Sequence, residues 1–100
     1  MNKALNMLGL CARAGRLVSG AQGVEIAVKA GKAHLVLIDE GASQETKKSI
    51  MDACAYRKVD AEIIEEQALG NAIGKPGRMV AAVTDESFAN RIRQLLKENS

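Results

Sequence analysis

A glycine-punctuated run near the N-terminus could bind an anion without any catalytic side chain. Gly20 and Gly23 flank Gln22 at the predicted start of the second helix. Free backbone N–H groups at a helix N-terminus attract anions, and glycines let a ligand approach the backbone closely. Arg16 and the upstream Arg13 add positive charge. We therefore expect this run to bind phosphate groups, which could belong to a nucleotide or to RNA.

A second glycine-flanked loop over residues 74–78 carries two more cations, Lys75 and Arg78. Placed beside the first run at one end of a sheet, it would complete a surface of backbone N–H groups, one amide side chain and cations. Such a surface suits a distorted RNA backbone with one or two base contacts.

Nucleotide hydrolysis is not indicated. Three residues separate Gly70 from Gly74, and Pro76 follows Lys75, whereas a phosphate-binding P-loop has four intervening residues and a Ser or Thr after its lysine. The wide spacing of the N-terminal glycines, which no long strand precedes, also differs from a dinucleotide-binding fingerprint.

Other reactive side chains fit structural roles. His34 has no neighbouring nucleophile and is interpreted as a structural or surface residue. Asp39 and Glu40 lie at the C-terminal end of a predicted strand and could belong to a site, but we favour a solvated turn. Cys11 and Cys54 lie in apolar helical patterns, which indicates buried thiols in a reducing compartment. No ligand cluster has metal-site spacing, so we expect no metal, no cofactor and no enzymatic activity.

The composition favours RNA over a membrane as partner. Residues 1–38 hold five basic residues against one acidic residue, a net charge of +4, whereas residues 39–100 hold nine against eleven, a net charge of −2. Tyr56 and Phe88 are the two aromatic residues, which argues against binding of single-stranded nucleic acid by base stacking. With neither a signal peptide nor an apolar run of membrane-spanning length in the sequence, we expect a cytoplasmic protein.

The 100 residues predict one domain, residues 1–100, of the α/β class. Alternating elements predict a three-layer α/β/α sandwich with a four-stranded mixed sheet and helices on both faces. Helices are predicted over residues 2–14, 21–30, 44–57 and 67–73 and after residue 85; strands are predicted over residues 17–18, 34–39, 61–65 and 79–84. Ser43 and Asp85 are the expected N-caps, and the third helix is expected to bury Ile50, Ala53, Cys54 and the stem of Arg57.

Two glycine patterns resemble a known family. The first is Gly15-x-x-x-x-Gly20 with the later strand over residues 35–38, and the second is Leu69-Gly70-x-Ala72-x-Gly74-Lys75 before a Val/Ala-rich strand. Over its whole length the chain resembles the kink-turn-binding ribosomal proteins, which include the large-subunit proteins seven-Ae and thirty-e, and in particular a bacterial subfamily. The resemblance implies the sandwich fold and binding to kinked double-helical RNA with tandem sheared G·A pairs. It places Gly20, Gln22 and Gly23 at the guanines and residues 74–79 over a flipped base.

Two positions depart from the family pattern. Gly23 stands where a Glu or Gln is usual, and Ile26 stands where a basic residue is usual. Since a good bidentate base contact contributes about 1–3 kcal/mol on the DNA scale, one lost contact costs roughly tenfold to a hundredfold in affinity.

We therefore predict a non-enzymatic RNA-binding protein of the translation apparatus, whose partner is structured, kink-turn-like RNA of ribosomal or messenger origin, with ribosome association. The predicted RNA-binding residues are Arg16, Gly20, Gln22, Gly23, Lys29, Lys75, Arg78 and Met79. The alternative is a protein–protein interaction module that has kept the fold and lost specific RNA binding.

Overall fold

The computed structural model describes residues 2–98, which form five helices and four strands. The helices are α1 Lys3–Arg13, α2 Ala21–Lys29, α3 Gln44–Arg57, α4 Ala68–Ile73 and α5 Glu86–Glu98, and the strands are β1 Leu17–Ser19, β2 Leu35–Asp39, β3 Asp60–Ile64 and β4 Val80–Val83. Each predicted element is present, with its ends shifted by at most one residue.

Two continuous apolar runs of the sequence, residues 35–38 and 79–83, form the two central strands. The sheet order is β1-β4-β2-β3, with β2 parallel to β3 and both other pairs antiparallel. All side chains of β2 and β4 are buried because helices cover both faces. Ala81 packs in the layer with α1, α4 and α5, and Ala82 packs in the layer with α2 and α3. The predicted three-layer sandwich with a mixed sheet is confirmed.

Side-chain caps fix where the longer helices begin. The Ser43 hydroxyl accepts a hydrogen bond from the Thr46 N–H at 3.1 Å, and the Asp85 carboxylate accepts one from the Phe88 N–H at 2.9 Å. Both caps were expected from the sequence. The expectation for Arg57 is wrong, because its side chain is exposed at the end of α3 while Ile50 and Cys54 form the buried stripe.

Both cysteines are buried, as predicted. The Cys11 thiol donates to the Arg16 carbonyl at 3.2 Å. Burial, and secondarily the negative charge of Asp85, raise the pKa of Cys11 to about 11, and burial also raises the pKa of Cys54. The two thiols therefore stay protonated and unreactive at neutral pH.

The prediction of a solvated acidic turn after β2 is wrong for Asp39. This residue is buried, and its carboxylate accepts hydrogen bonds from the N–H groups of Gly41 at 2.8 Å, Gln67 at 3.0 Å and Leu69 at 3.3 Å. Glu40 is exposed and lies 3.6 Å from Lys47. Asp39 thus fastens the turn after β2 to the start of α4.

His34 is exposed at the entry to β2, in agreement with a surface role. Within residues 2–98, no helix is long and apolar enough to cross a membrane.

Candidate nucleic-acid interface

The two glycine-flanked loops meet at one end of the sheet. We call residues 19–23 the first loop, residues 74–78 the second loop, and the end of the sheet where they lie the loop end. Because β1 and β4 are antiparallel, the end of β1 adjoins the start of β4. The Gly20 N–H donates to the Val80 carbonyl at 2.9 Å. The predicted side-by-side placement of the loops is therefore confirmed.

Arg78 joins the two loops through its side chain. Its Nη1 donates to the Ser19 carbonyl oxygen at 3.2 Å and to the Ser19 Oγ at 3.1 Å. A Cβ on Gly20 would lie 3.2 Å from the same nitrogen, and Gly20 has a φ of 97°. Glycine at position 20 thus allows both the backbone turn and the approach of the guanidinium, whose remaining N–H groups can still bind an anion.

The N-terminus of α2 opens on the first loop without a side-chain cap. Its N-cap is Gly20, which makes no capping hydrogen bond. The first-turn N–H groups of Ala21, Gln22 and Gly23 have no acceptor within the helix, and the Gln22 side chain is exposed. These donors and the guanidinium of Arg78 converge on the same surface, which therefore favours a phosphate or another anion.

Gly23 serves the packing of α2. A Cβ on this residue would lie 2.9 Å from Cγ1 of Val18, inside the contact between α2 and β1. The absence of a side chain at position 23 therefore lets the helix lie close to the strand. The sequence alone explains this glycine differently, by the close approach of a ligand to the backbone. Ile26, one turn beyond Gln22, is 61% exposed and places an apolar side chain on the same face of the helix.

The second loop folds back onto α4 at Gly70. A Cβ on Gly70 would lie 2.9 Å from the Lys75 carbonyl oxygen and 3.1 Å from the Gly77 nitrogen. The Lys75 N–H in turn donates to the Gly70 carbonyl at 2.9 Å. The contacts between Gly70 and Lys75, whose spacing superficially resembles a P-loop, therefore hold the second loop against α4.

A cleft of about 270 Å³ lies beside the joined loops. Its lining residues are Ala12, Arg13, Leu17, Ser19, Ile73, Lys75 and Arg78. Three of them are cations and, within the described part of the chain, none is a carboxylate. Arg13 is not among the eight predicted RNA-binding residues, although its positive charge is expected beside the first run. Its guanidinium folds back over Gly9, and its Nη1 would lie 3.4 Å from a Cβ on that residue.

Carboxylates mark the boundary of this cationic surface. A larger cleft between α1 and α4 is lined by Glu65 and Glu66, and among residues 2–98 it shares only Arg13 with the first cleft. Because these carboxylates repel phosphate, we expect an anionic ligand to lie on the side of Arg13 that faces Arg78.

The structure divides the predicted site residues between the two ends of the sheet. Gly20, Gln22, Gly23, Lys75, Arg78 and Met79 lie at the loop end. Met79 is half-buried against the core, and its carbonyl accepts from the Asp39 N–H at 2.7 Å. The other two predicted residues, Arg16 and Lys29, lie at the opposite end, which we call the distal end.

Arg16 and Lys29 are positioned by the elements that lead away from the loops. The Arg16 carbonyl accepts from the Thr84 N–H at 2.9 Å, beyond the far end of β4. Lys29 lies about 12 Å along α2 from its first residue and pairs with Glu25 at 2.8 Å. Neither cation lines the cleft beside the two loops.

The two backbone loops and the cationic cleft at one end of the α/β/α sandwich have the features of a domain that binds an anionic ligand. The model of the Ribosomal protein L7Ae/L30e/S12e/Gadd45 family matches residues 2–92, so the chain belongs to this family. The family resemblance and the expectation of a non-enzymatic protein agree with this match.

Two bacterial relatives are similar along nearly their whole length. The RNA-binding protein YlxQ of Bacillus subtilis is 45% identical over 91 residues, covering 90% of this chain and 91% of the relative. The protein of the same name from Enterococcus faecium is 34% identical over 96 residues, covering 95% and 92%. They agree with the bacterial subfamily that the sequence motifs indicate.

Two solved structures share the fold. A protein of unknown function from Bacillus halodurans has a TM-score of 0.93 at 36% identity, with 97% of this chain and 99% of that chain covered. The Giardia lamblia 15.5kD RNA binding protein has a TM-score of 0.80 at 26% identity, with 94% and 82% covered.

Proposed function

We propose that this protein binds structured RNA at the loop end, without catalysing a reaction. The observation that carries the proposal is the Arg78 side chain, which fastens the second loop to Ser19 beside the uncapped start of α2. Backbone N–H groups, an amide and cations held in one fixed arrangement suit the phosphates and base edges of a kinked helix. The family and the names of the relatives support the same function.

The proposed RNA is a kink-turn or a related kinked helix of the translation apparatus, bound in the cytoplasm and with ribosome association. Gln22 makes hydrogen bonds to a base edge, while Gly20 and the neighbouring N–H groups contact the sugar–phosphate backbone of the RNA. Lys75 and Arg78 hold phosphates, and Arg13 adds a third cation to their cleft. Met79, whose side chain is partly exposed, packs on a base flipped out of the helix. From the distal end, Arg16 and Lys29 contribute long-range attraction only.

The proposal is tested by comparing a short kink-turn RNA with the same duplex in which G·C pairs replace the G·A pairs. Binding to each is measured at low and at near-physiological salt. We expect a preference for the kinked RNA that persists at the higher salt, because shape and base contacts are less screened than phosphate contacts. Equal, salt-sensitive binding to both RNAs, or none, would contradict kink-turn recognition and favour the protein–protein module.

Gln22→Ala is expected to weaken binding to the G·A-containing RNA about tenfold and to leave the G·C duplex nearly unaffected, because one base contact is removed. Titrations of both RNAs measure this difference. Gln94→Ala is the matched control, since Gln94 is an exposed glutamine on α5. Equal losses on both RNAs would contradict the assignment of Gln22 to a base edge.

Arg78→Ala is expected to weaken binding to both RNAs and to lower the slope of log affinity against log salt by about one, because one phosphate contact is lost. The measurement is a series of titrations over several salt concentrations. Arg91→Ala removes an equal charge from an exposed position on α5 and serves as the control. An unchanged salt slope in the Arg78 variant would show that this residue touches no phosphate.

A further inference from the structure

The distal end gathers cations from two chain segments that enter the sheet side by side. Leu35 pairs with Asp60 in the parallel register of β2 and β3, and adjacent strands lie about 4.8 Å apart. Lys32 precedes the first of these strands, and Arg57 and Lys58 precede the second. The ends of α2 and α3 therefore bring three basic residues to one exposed surface.

Three carboxylates near this surface are paired with other cations. Asp60 lies 2.9 Å from Arg93, Glu25 lies 2.8 Å from Lys29, and Asp52 lies 3.3 Å from Lys48. Among residues 2–98, no carboxylate lies within 4 Å of the side-chain nitrogens of Lys32, Arg57 or Lys58. The surface therefore keeps a net positive charge that can attract an anionic partner.

The side chain of Tyr56 projects into solvent beside these cations. Its side chain is on the outward face of α3 and is 85% exposed, and the Arg57 guanidinium carbon lies 6.0 Å from the ring centroid. A favourable charge at the end of the helix dipole accounts for a basic residue here, but it does not account for an exposed aromatic ring. Exposed rings flanked by cations are the surfaces on which proteins stack unpaired bases.

We propose that Tyr56, Lys32, Arg57 and Lys58 form a second RNA contact, which binds a single-stranded segment. Tyr56 stacks on one base, and the three cations hold the neighbouring phosphates. The five residues of β2 separate this surface from the loop end by about 17 Å, so it binds a different part of the RNA. The inference rests on RNA binding in general and is independent of kink-turn recognition at the loop end.

Low aromatic content argues against base stacking when only the sequence is considered. The structure changes this expectation, because Phe88 packs against the core whereas Tyr56 is almost completely exposed. One exposed ring is sufficient to stack on one base, and electrostatic attraction provides the rest of the contact.

Tyr56 provides its own probe, since the chain contains one Tyr and no Trp. An unstructured RNA of about ten nucleotides is titrated into the intact protein while tyrosine fluorescence and the anisotropy of the labelled RNA are followed. We expect the fluorescence to be quenched with the same midpoint as the anisotropy change. Tyr56→Ala should weaken binding about tenfold, whereas Tyr56→Phe should stay within about threefold of the unmodified protein.

Two controls separate this contact from the loop end. Met51→Ala removes another exposed side chain from α3 and should bind the unstructured RNA normally. Arg78→Ala should weaken binding of the unstructured RNA less than Tyr56→Ala does, although its affinity for the kink-turn RNA falls. The inference is overturned if the unmodified protein does not bind the unstructured RNA, or if Tyr56→Ala binds it equally well. Failure of kink-turn preference alone would overturn only the proposed function of the loops.

Discussion

Asp39→Ala is expected to lower the free energy of unfolding by about 3 kcal/mol, because removal of the carboxylate leaves three backbone N–H groups without their acceptor. The donors belong to Gly41, Gln67 and Leu69, in the turn after β2 and at the start of α4. Urea unfolding of the purified variant measures the effect. Since α4 carries the second loop, kink-turn affinity is expected to fall as well.

The neighbouring carboxylate provides the control for this prediction. Glu40→Gln should change the free energy of unfolding by less than about 0.5 kcal/mol, because Glu40 is exposed and its 3.6 Å pair with Lys47 is weak. Asparagine has the same shape as aspartate but offers one acceptor oxygen where aspartate has two. The stability of Asp39→Asn should therefore lie between those of Asp39→Ala and the unmodified protein. Stability of Asp39→Ala equal to that of Glu40→Gln would contradict the role given to Asp39.

Gly70→Ala is expected to displace the second loop and reduce kink-turn affinity by more than about tenfold, with a loss of roughly 1–3 kcal/mol in the free energy of unfolding. The added methyl group would lie 2.9 Å from the Lys75 carbonyl oxygen and 3.1 Å from the Gly77 nitrogen. Both are backbone atoms, so the contact cannot be relieved by rotating a side chain. RNA titrations at a temperature where the variant is folded measure the change in affinity.

Gly74→Ala separates loop displacement from general destabilisation. Gly74 has a φ of 73°, but a Cβ there would meet no atom within 4 Å. The substitution therefore carries a left-handed backbone strain of about 1–2 kcal/mol and leaves the contact between the loop and α4 in place. If Gly70→Ala bound RNA at least as well as Gly74→Ala, close packing at Gly70 would not position the second loop.

Much of the fold could be predicted because local signals agree with tertiary packing. The apolar runs that form β2 and β4 are buried on both faces, and Gly15 ends the first helix with a φ of 73°. Ser43 and Asp85 cap the helices that follow them, as expected. Each of these features depends on residues a few positions apart, which a single sequence displays directly.

The site was only partly predictable because its contacts join distant parts of the chain. The carboxylate of Asp39 binds N–H groups 28 and 30 residues away, which nothing in its immediate sequence indicates. Arg16 is close to Gly20 in sequence, yet β1 carries the chain to the other end of the sheet between them. Arg13 is further along the chain from the first loop, but its helix directs it into the cationic cleft. Distance along the chain therefore does not show which of these residues lie close together in the fold.

The hydrogen bonds from Arg78 to Ser19 and from Gly20 to Val80 have a thermodynamic consequence. The loops are held in one arrangement before any ligand arrives, so association does not require the chain to lose further conformational entropy there. In the proposed complex, the change of shape then belongs mainly to the RNA, and its bending free energy sets the affinity. RNAs that are already bent in isolation would be bound most tightly, and the protein would act as a rigid template that selects them.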